Sequence, residues 1–488
     1  MNEGTPPTDG FVEETTIMQL QEMMASGKLT SRELVKAYLK RIALYDHGGP
    51  ALNSVLETNP EALFTAEALD QERRKKGPRG LLHGIPILVK DNIDTGDMMH
   101  TSAGSLALAD SYAPGDSFIV NKLREAGAII LGKANMTEWA NFMTDNMPNG
   151  YSSRGGQVKN PYGPGVHEVG GSSSGSGAAV AANLVPASVG TETSGSILSP
   201  ACNNSIVGIK PTVGLLSRTG VIPISHVQDT PGPLAKTVED AAILLGVLAG
   251  IDQQDVATYS SEGRTYGDYT QFLDSDGLKG ARIGIARSFV DHSEEDFLAG
   301  FAAAKQALQD AGACVIDVDM LDPKSSWQSL SLIYEFKPAI NRYLSRLSPI
   351  VPVHSLKELV EFNQSQPDKM LKYGQTVLVK SEETSGTLTE TEYILGRARE
   401  EEESRMKGID CALKQYGVDA LFFPHKMNSA ISARAGYPSI SVPAGYTGAG
   451  RPVGVTFTAG AYSEPLLVRF AYAFEQATQA RKPPNLNR

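Results

Sequence analysis

Short apolar runs and amphipathic segments alternate along most of this chain. Residues 80–134 contain LLHGIPILV, then SFIVNKLREAG, then AIILGKAN, which by their periods are a strand, a helix and a second strand. Residues 281–286, 295–309 and 314–320 repeat the theme. ALFFP, YPSISVPAG and RPVGVTF add strand-like runs near the C-terminus, before a helix over 465–477. This order predicts an α/β sheet that extends to both sides of the middle of the chain. Thr30-Ser31-Arg32-Glu33 has the form of a capping box, and Leu34, Val35, Tyr38, Leu39 and Ile42 follow at helical spacing, so a helical layer precedes the sheet. Residues 237–249 form an apolar helix. Residues 324–408 are charged and helical without a convincing strand, and are predicted to be an insertion covering the sheet. No repeat or low-complexity linker divides the chain, so one large domain over 15–488 is expected, behind an acidic, polar, flexible tail over 1–14.

Composition narrows the partners. Lys plus Arg is 44 and Asp plus Glu is 55, a net charge of −11, and no long basic run offers a footprint for phosphate backbones. Nucleic acid is excluded on that ground. The first residues lack the basic and apolar regions of a secretory signal, and the most apolar stretch, 177–190, is interrupted by Asn183 and Pro186, so no membrane span is expected. Cys202, Cys314 and Cys411 are too few and too scattered for a disulfide framework or a zinc site; buried thiols in a reducing cytoplasm are the expectation. The eight histidines are isolated, and none is paired at the i, i+4 spacing of a metal site.

Several strings imitate known motifs. GAIILGKA, residues 127–134, nearly matches a phosphate-binding loop, but Ala134 stands where a hydroxyl would hold magnesium. The order is also helix, glycine, strand instead of strand, loop, helix. GSSSG, residues 171–175, satisfies G-x-S-x-G with Ser173 as nucleophile and His425 as the available base, yet the preceding segment is too rich in proline and glycine for the required strand. Ser404 and Lys407 form S-x-x-K on what reads as a solvated helix face.

A different constellation fits better. Lys90 ends the apolar run 85–89, residues 170–177 read GGSSSGSG, and residues 190–200 read GTETSGSILSP with Ser196 flanked by glycine. A serine hydroxyl needs a base, and a lysine serves when burial lowers its pKa enough to leave a neutral amine. Ser194 and Gly195 stand in a glycine-rich turn whose N–H groups can converge on one point, as an oxyanion hole requires.

At these residues the chain resembles the amidase signature family. PILVKDN, GKANMTEW, GGSSSGSGAAVAA, GTETSGSILSPA, GIKPTVG and GYPSISVPAG carry the resemblance, which extends from about residue 17 to the C-terminus. It implies one large α/β domain, a twisted mixed sheet with helices on both faces. It implies a catalytic triad of Lys90, Ser172, held through a cis peptide, and Ser196, with backbone oxyanion donors at Thr193, Ser194, Gly195 and Ser196 and a supporting Ser173. The implied activity is hydrolysis of a carboxamide C–N bond through an acyl-enzyme, releasing ammonia or an amine, without metal or organic cofactor and without an obligate partner subunit.

The chain departs from the family wording GTDTGGSIR: Glu192 replaces the acid, Ser194 a glycine and Leu198 the arginine, which leaves open what Asp229 pairs with. The GTET-x-GSI form together with IPISHVQDTPGP is most similar to bacterial peptide amidases, which remove the C-terminal carboxamide of peptides. Aryl acylamidases and small-amide hydrolases share the triad, and so does the amidotransferase component that takes ammonia from glutamine inside a complex. The acyl side of the pocket is expected in the 324–408 insertion, with Tyr334, Phe336 and Tyr373 as candidate walls.

Overall fold

The computed structural model describes residues 9–290, 295–320 and 330–486. Thirteen strands are present among them, eleven in one sheet. They are β1 (Val55–Thr58), β2 (Pro86–Lys90), β3 (Ile129–Ala134), β4 (Tyr151–Ser152), β5 (Gly156–Gln157), β6 (Ala187–Glu192), β7 (Val207–Lys210), β8 (Thr230–Ala235), β9 (Arg282–Ala286), β10 (Cys314–Val318), β11 (Ala420–Pro424), β12 (Ser439–Tyr446) and β13 (Pro452–Thr458). The large sheet runs β1-β3-β2-β6-β8-β7-β12-β13-β11-β9-β10, and β4 and β5 form a separate hairpin. Pairing is parallel within β3-β2-β6 and within β11-β9-β10 and antiparallel elsewhere, so the sheet is mixed, as expected of a single α/β fold.

The middle of the sheet is buried on both faces. Every residue of β2, β3, β6, β7 and β8 is buried, because helices cover both sides. One of them, Ser174–Ala181 (SGSGAAVA), is wholly buried and built of small residues. Gly175 shows why: a Cβ there would stand 2.2 Å from the Ser54 carbonyl oxygen and 2.3 Å from that of Asn135. Strand β8 carries Pro231 and Pro233 in the interior of the sheet, where proline is normally excluded. It is tolerated because β7 pairs with β8 only at Val207–Ala235 and Gly208–Leu234, so the proline stretch has no ladder to lose on that flank.

The capping box at Thr30 forms as read: Thr30 Oγ1 accepts from the Glu33 amide and the Glu33 carboxylate accepts from the Thr30 amide. Residues 1–8 of the expected tail lie outside the described residues. Of the rest, Glu13 pairs with Arg41 at 2.8 Å and Glu14 with Arg481 at 2.7 Å. Residues 324–329 also lie outside them, and every element from 330 to 416 is helical. These helices have their own core, in which Phe336, Ile340, Leu344 and Leu359 meet Trp139, Phe142, Ile222 and Ile224 of the main body.

Two smaller expectations are corrected. Only Cys202 is a buried thiol; Cys314 is exposed and Cys411 partly so, because the latter two lie on an outer strand and an outer helix. Ser404 faces inward and is buried, while Lys407 pairs with Glu402 on the outside of the same π-helical turn. Tyr334 hydrogen-bonds Glu392, and Tyr373 packs edge-on against Tyr151. Among the described residues, no helix is long and apolar enough to cross a membrane.

Candidate active site

The site lies beyond the C-terminal ends of the parallel strands β2 and β6, the usual location in a sheet of this kind. Lys90 is the last residue of β2 and Glu192 the last of β6. Lys90 is completely buried, and its Nζ lies 2.8 Å from Ser172 Oγ, 2.9 Å from Thr191 Oγ1 and 3.2 Å from the Thr191 carbonyl oxygen. No carboxylate is within ion-pair distance of it among the described residues. Burial pushes its pKa down to about 7, against a smaller upward pull from the charges of Glu192 and Asp229.

Lys90 Nζ donates to Ser172 Oγ and to the Thr191 carbonyl and hydroxyl oxygens, so all its partners are neutral oxygens. Thr191 Oγ1 also accepts from Asn92 Nδ2 at 3.0 Å, which fixes its orientation. Lys133 and Lys210 are equally buried but differently placed. Lys210 donates to the carbonyls of Pro211 and Tyr437, and Lys133 sits among the charges of Asp91, Asp94 and Asp97.

The serine tract is braced from the backbone. The Gly171–Ser172 peptide is cis, the Ser172 carbonyl accepts from the Thr137 amide at 3.1 Å, and the Ser173 amide donates to the Ser196 carbonyl at 3.2 Å. Ser173 Oγ donates to the Thr191 carbonyl at 3.0 Å and accepts from the Thr191 amide at 3.2 Å. Ser173 therefore ties the tract to β6. His425 is far from the role of its base: its ring packs on Phe297 with centroids 5.0 Å apart and its Nε2 has no partner among the described residues. Gly127, at φ +82, separates the helix Phe118–Glu125 from β3, so the phosphate-loop string is a helix-to-strand turn.

Ser196 sits in the turn after β6, buried but for 7% of its surface. Its hydroxyl makes no hydrogen bond among the described residues, so the structure joins Lys90 to Ser172 but does not close a Ser172–Ser196 hydroxyl bond. Gly195 adopts φ +83, and the amides of Thr193, Ser194, Gly195 and Ser196 donate to no protein acceptor among the described residues.

The departures from the family wording find their partners here. The Glu192 carboxylate accepts from the amides of Ile197 and Leu198 at 2.7 and 3.0 Å, holding the turn by hydrogen bonds where an arginine is missing. Asp229 accepts from Thr193 Oγ1 at 2.5 Å and from the amides of Ile224 and Ser225 at 2.7 and 2.9 Å, while burial raises its pKa. Gln228 Nε2 donates to the Thr193 carbonyl at 3.1 Å. The sequence reading missed Thr191 and Asn92 as the groups around Lys90; Asn92 stood two positions from the lysine, but nothing in the pattern singled out Thr191.

Phe336, a candidate wall, packs on Phe142 with centroids 4.9 Å apart and borders a small void beside Asn92. Tyr334 donates to Glu392 at 3.0 Å, and Tyr373 meets Tyr151 edge-on at 4.9 Å. A larger cleft of about 640 Å³ opens on the other side of the 218–229 loop, between Arg218, His226, Arg342 and Arg346. No group of three or more His, Cys, Asp or Glu side chains is placed to hold a metal ion among the described residues.

A mixed eleven-stranded α/β fold with a buried lysine against a serine of a glycine tract defines a class of amide-cleaving hydrolases. The chain belongs to the amidase family, whose model matches residues 33–434. It is 44% identical to the native peptide amidase from Stenotrophomonas maltophilia, whose structure superposes with a TM-score of 0.92 over 98% of this chain and 99% of that one. It is 42% identical to a probable amidase of Arabidopsis thaliana over 97% of this chain and 92% of the relative. A glutamyl-tRNA(Gln) amidotransferase component from Halorhodospira halophila is 31% identical over 96% of this chain and 98% of the relative. The protein is accordingly a hydrolase acting on amide C–N bonds.

Proposed function

We propose that the chain hydrolyses carboxamides through an acyl-enzyme on Ser196, with Ser172 and Lys90 carrying the protons. The observation that supports this most is the fully buried Lys90 amine set 2.8 Å from Ser172 Oγ without a carboxylate partner among the described residues. Neutral Lys90 accepts the Ser172 proton as Ser172 accepts the proton of Ser196. Ser196 Oγ bonds to the amide carbon, and the carbonyl oxygen takes the negative charge. The free amides of residues 193–196 are the donors for that oxygen. The C–N bond then breaks, the proton returns from Lys90 through Ser172 to the leaving nitrogen, and ammonia or an amine departs. Water attacks the ester by the same relay and releases the carboxylate and Ser196. The Ser172–Ser196 bond is the link that forms with substrate, as catalytic hydrogen bonds often tighten only in the complex.

The substrate is a peptide bearing a C-terminal carboxamide, a reading supported by the 44% identity to a peptide amidase across nearly the whole chain. The likeness to an amidotransferase component supports a second reading, transfer of ammonia from glutamine within a complex. Ammonia release by the purified chain alone separates the two, using a peptide amide, free glutamine, an aliphatic amide and an anilide. Preference for the peptide amide is the expected result. Activity on glutamine alone overturns it in favour of the second reading, and activity on the anilide keeps the triad but changes the substrate class.

A further inference from the structure

The segment after β11 lies against the turn that ends in Ser196. A Cβ placed on Gly195 would stand 3.3 Å from Ser429 Cβ and Oγ and 3.9 Å from Lys426 Cδ. The Lys426 side chain therefore runs alongside the turn, and its Nζ lies two bonds, about 2.5 Å, farther on. That reach is comparable to the roughly 3.8 Å step between neighbouring residues of a bound peptide.

The charges around Lys426 are unbalanced. It is half-buried, and no carboxylate lies within ion-pair distance of it among the described residues. Glu192, on the far side of the turn, is committed to the amides of Ile197 and Leu198. A half-buried ammonium gives up hydration and regains it only when an anion arrives.

We infer that Lys426 selects substrates with a carboxylate beside the scissile amide, an inference that rests on Ser196 being the nucleophile. The carboxylate belongs to the side chain of the amidated residue or of the residue before it. An acidic peptide amide then gains a charge-assisted hydrogen bond that a neutral one lacks, and a basic one meets like charge.

The test compares kcat/KM for three peptide amides that differ only in the amidated residue, glutamate, leucine or lysine, in the native chain, Lys426→Met and Lys426→Glu. The native chain is expected to favour the glutamate amide. Lys426→Met lowers the glutamate-to-leucine ratio about tenfold, the range of one charge-assisted contact. Lys426→Glu places the lysine amide above the glutamate amide. Equal losses on all three, leaving the ratios fixed, or no glutamate preference in the native chain, overturn the inference. If the native chain cleaves no peptide amide, the peptide reading fails by itself, and the same ratio is read on carboxylate-bearing and neutral forms of the amide it does cleave.

Discussion

Replacing Lys90 by methionine should change the pH dependence of folding more than its magnitude. The side chains are similar in volume, so the substitution exchanges a titrating amine for a thioether without opening a large cavity. An ordinary lysine titrates near 10.5, and burial holds Lys90 at about 7. Below pH 7 the folded and unfolded chains both carry the proton, and the folded state bears the full cost of a buried charge. Between about 7 and 10.5 the unfolded lysine keeps a proton that the folded one has lost, so unfolding takes up a proton and stability rises with pH. Above 10.5 the cost is gone. At roughly 1.4 kcal/mol per pH unit, the gap is worth about 5 kcal/mol.

At pH 7 this cost opposes the hydrogen bonds that methionine forfeits at Ser172, Thr191 Oγ1 and the Thr191 carbonyl. Each unpaired group is worth about 1–3 kcal/mol, so the net change there is small and of either sign. The slope carries the information. Equilibrium urea unfolding, followed by the fluorescence of buried Trp139, should show the native chain gaining on Lys90→Met by about 1.4 kcal/mol per pH unit between pH 7.5 and 9.5. All other titrations are common to both proteins and cancel. A difference that stays constant over that interval would mean that Lys90 is charged throughout, and a charged lysine cannot be the base.

Four further outcomes follow from the same geometry. kcat/KM for a carboxamide should rise with pH and level off above about 7 as Lys90 loses its proton; a flat profile from pH 6 to 8 refutes that role. Ser196→Ala should abolish hydroxylamine-trappable acyl-enzyme and cut turnover on the order of 10⁴-fold or more, and substantial activity in that variant sinks the mechanism. Glu192→Ala should cost about 1–3 kcal/mol of stability and lower kcat more than it changes KM, with Glu192→Gln largely restoring both. A wild-type kcat in the alanine variant would show that the turn needs no brace. Gly175→Ala should fail to accumulate as folded protein, or lose several degrees in Tm, because a methyl would overlap the carbonyls of Ser54 and Asn135; an unchanged Tm would contradict the close packing of that helix.

Of the large sheet, β2, β3, β9, β10, β11, β12 and β13 were legible in the sequence, and β1, β6, β7 and β8 were not. Strands such as β2, β3, β11 and β13 are runs of branched and aromatic residues, and the period shows them directly. β6 and β8 read ASVGTE and TPGPLA, small residues and prolines that carry no strand signal. They are strands because neighbours on both sides supply the ladder and the burial, a tertiary effect that overrides local preference. In the site, the lysine and two serines could be placed by motif. Thr191, which holds Lys90 through both its carbonyl and its hydroxyl, could not, because its role exists only once β2 and β6 lie side by side.

The same limit applied to Glu192 and Leu198. The sequence showed that an arginine was gone, and only the folded turn shows what holds it instead: two amides on Glu192, and Thr193 on Asp229. Asp229 fixes the amides of Ile224 and Ser225, Ser225 Oγ donates to Glu335, and Glu335 accepts from Tyr393 and faces Arg397 at 3.6 Å. A continuous set of hydrogen bonds thus runs from the turn bearing Ser196 to the helices Leu330–Leu344 and Thr391–Glu401. These helices border the site through Phe336, so changes in their packing reach the turn along defined bonds. The buried Lys90 and Ser172 lie outside that set, held by β2, β6 and the glycine tract. In the proposed mechanism, this separation lets the helices vary with the substrate while Lys90 and Ser172, the proposed proton carriers, keep one geometry.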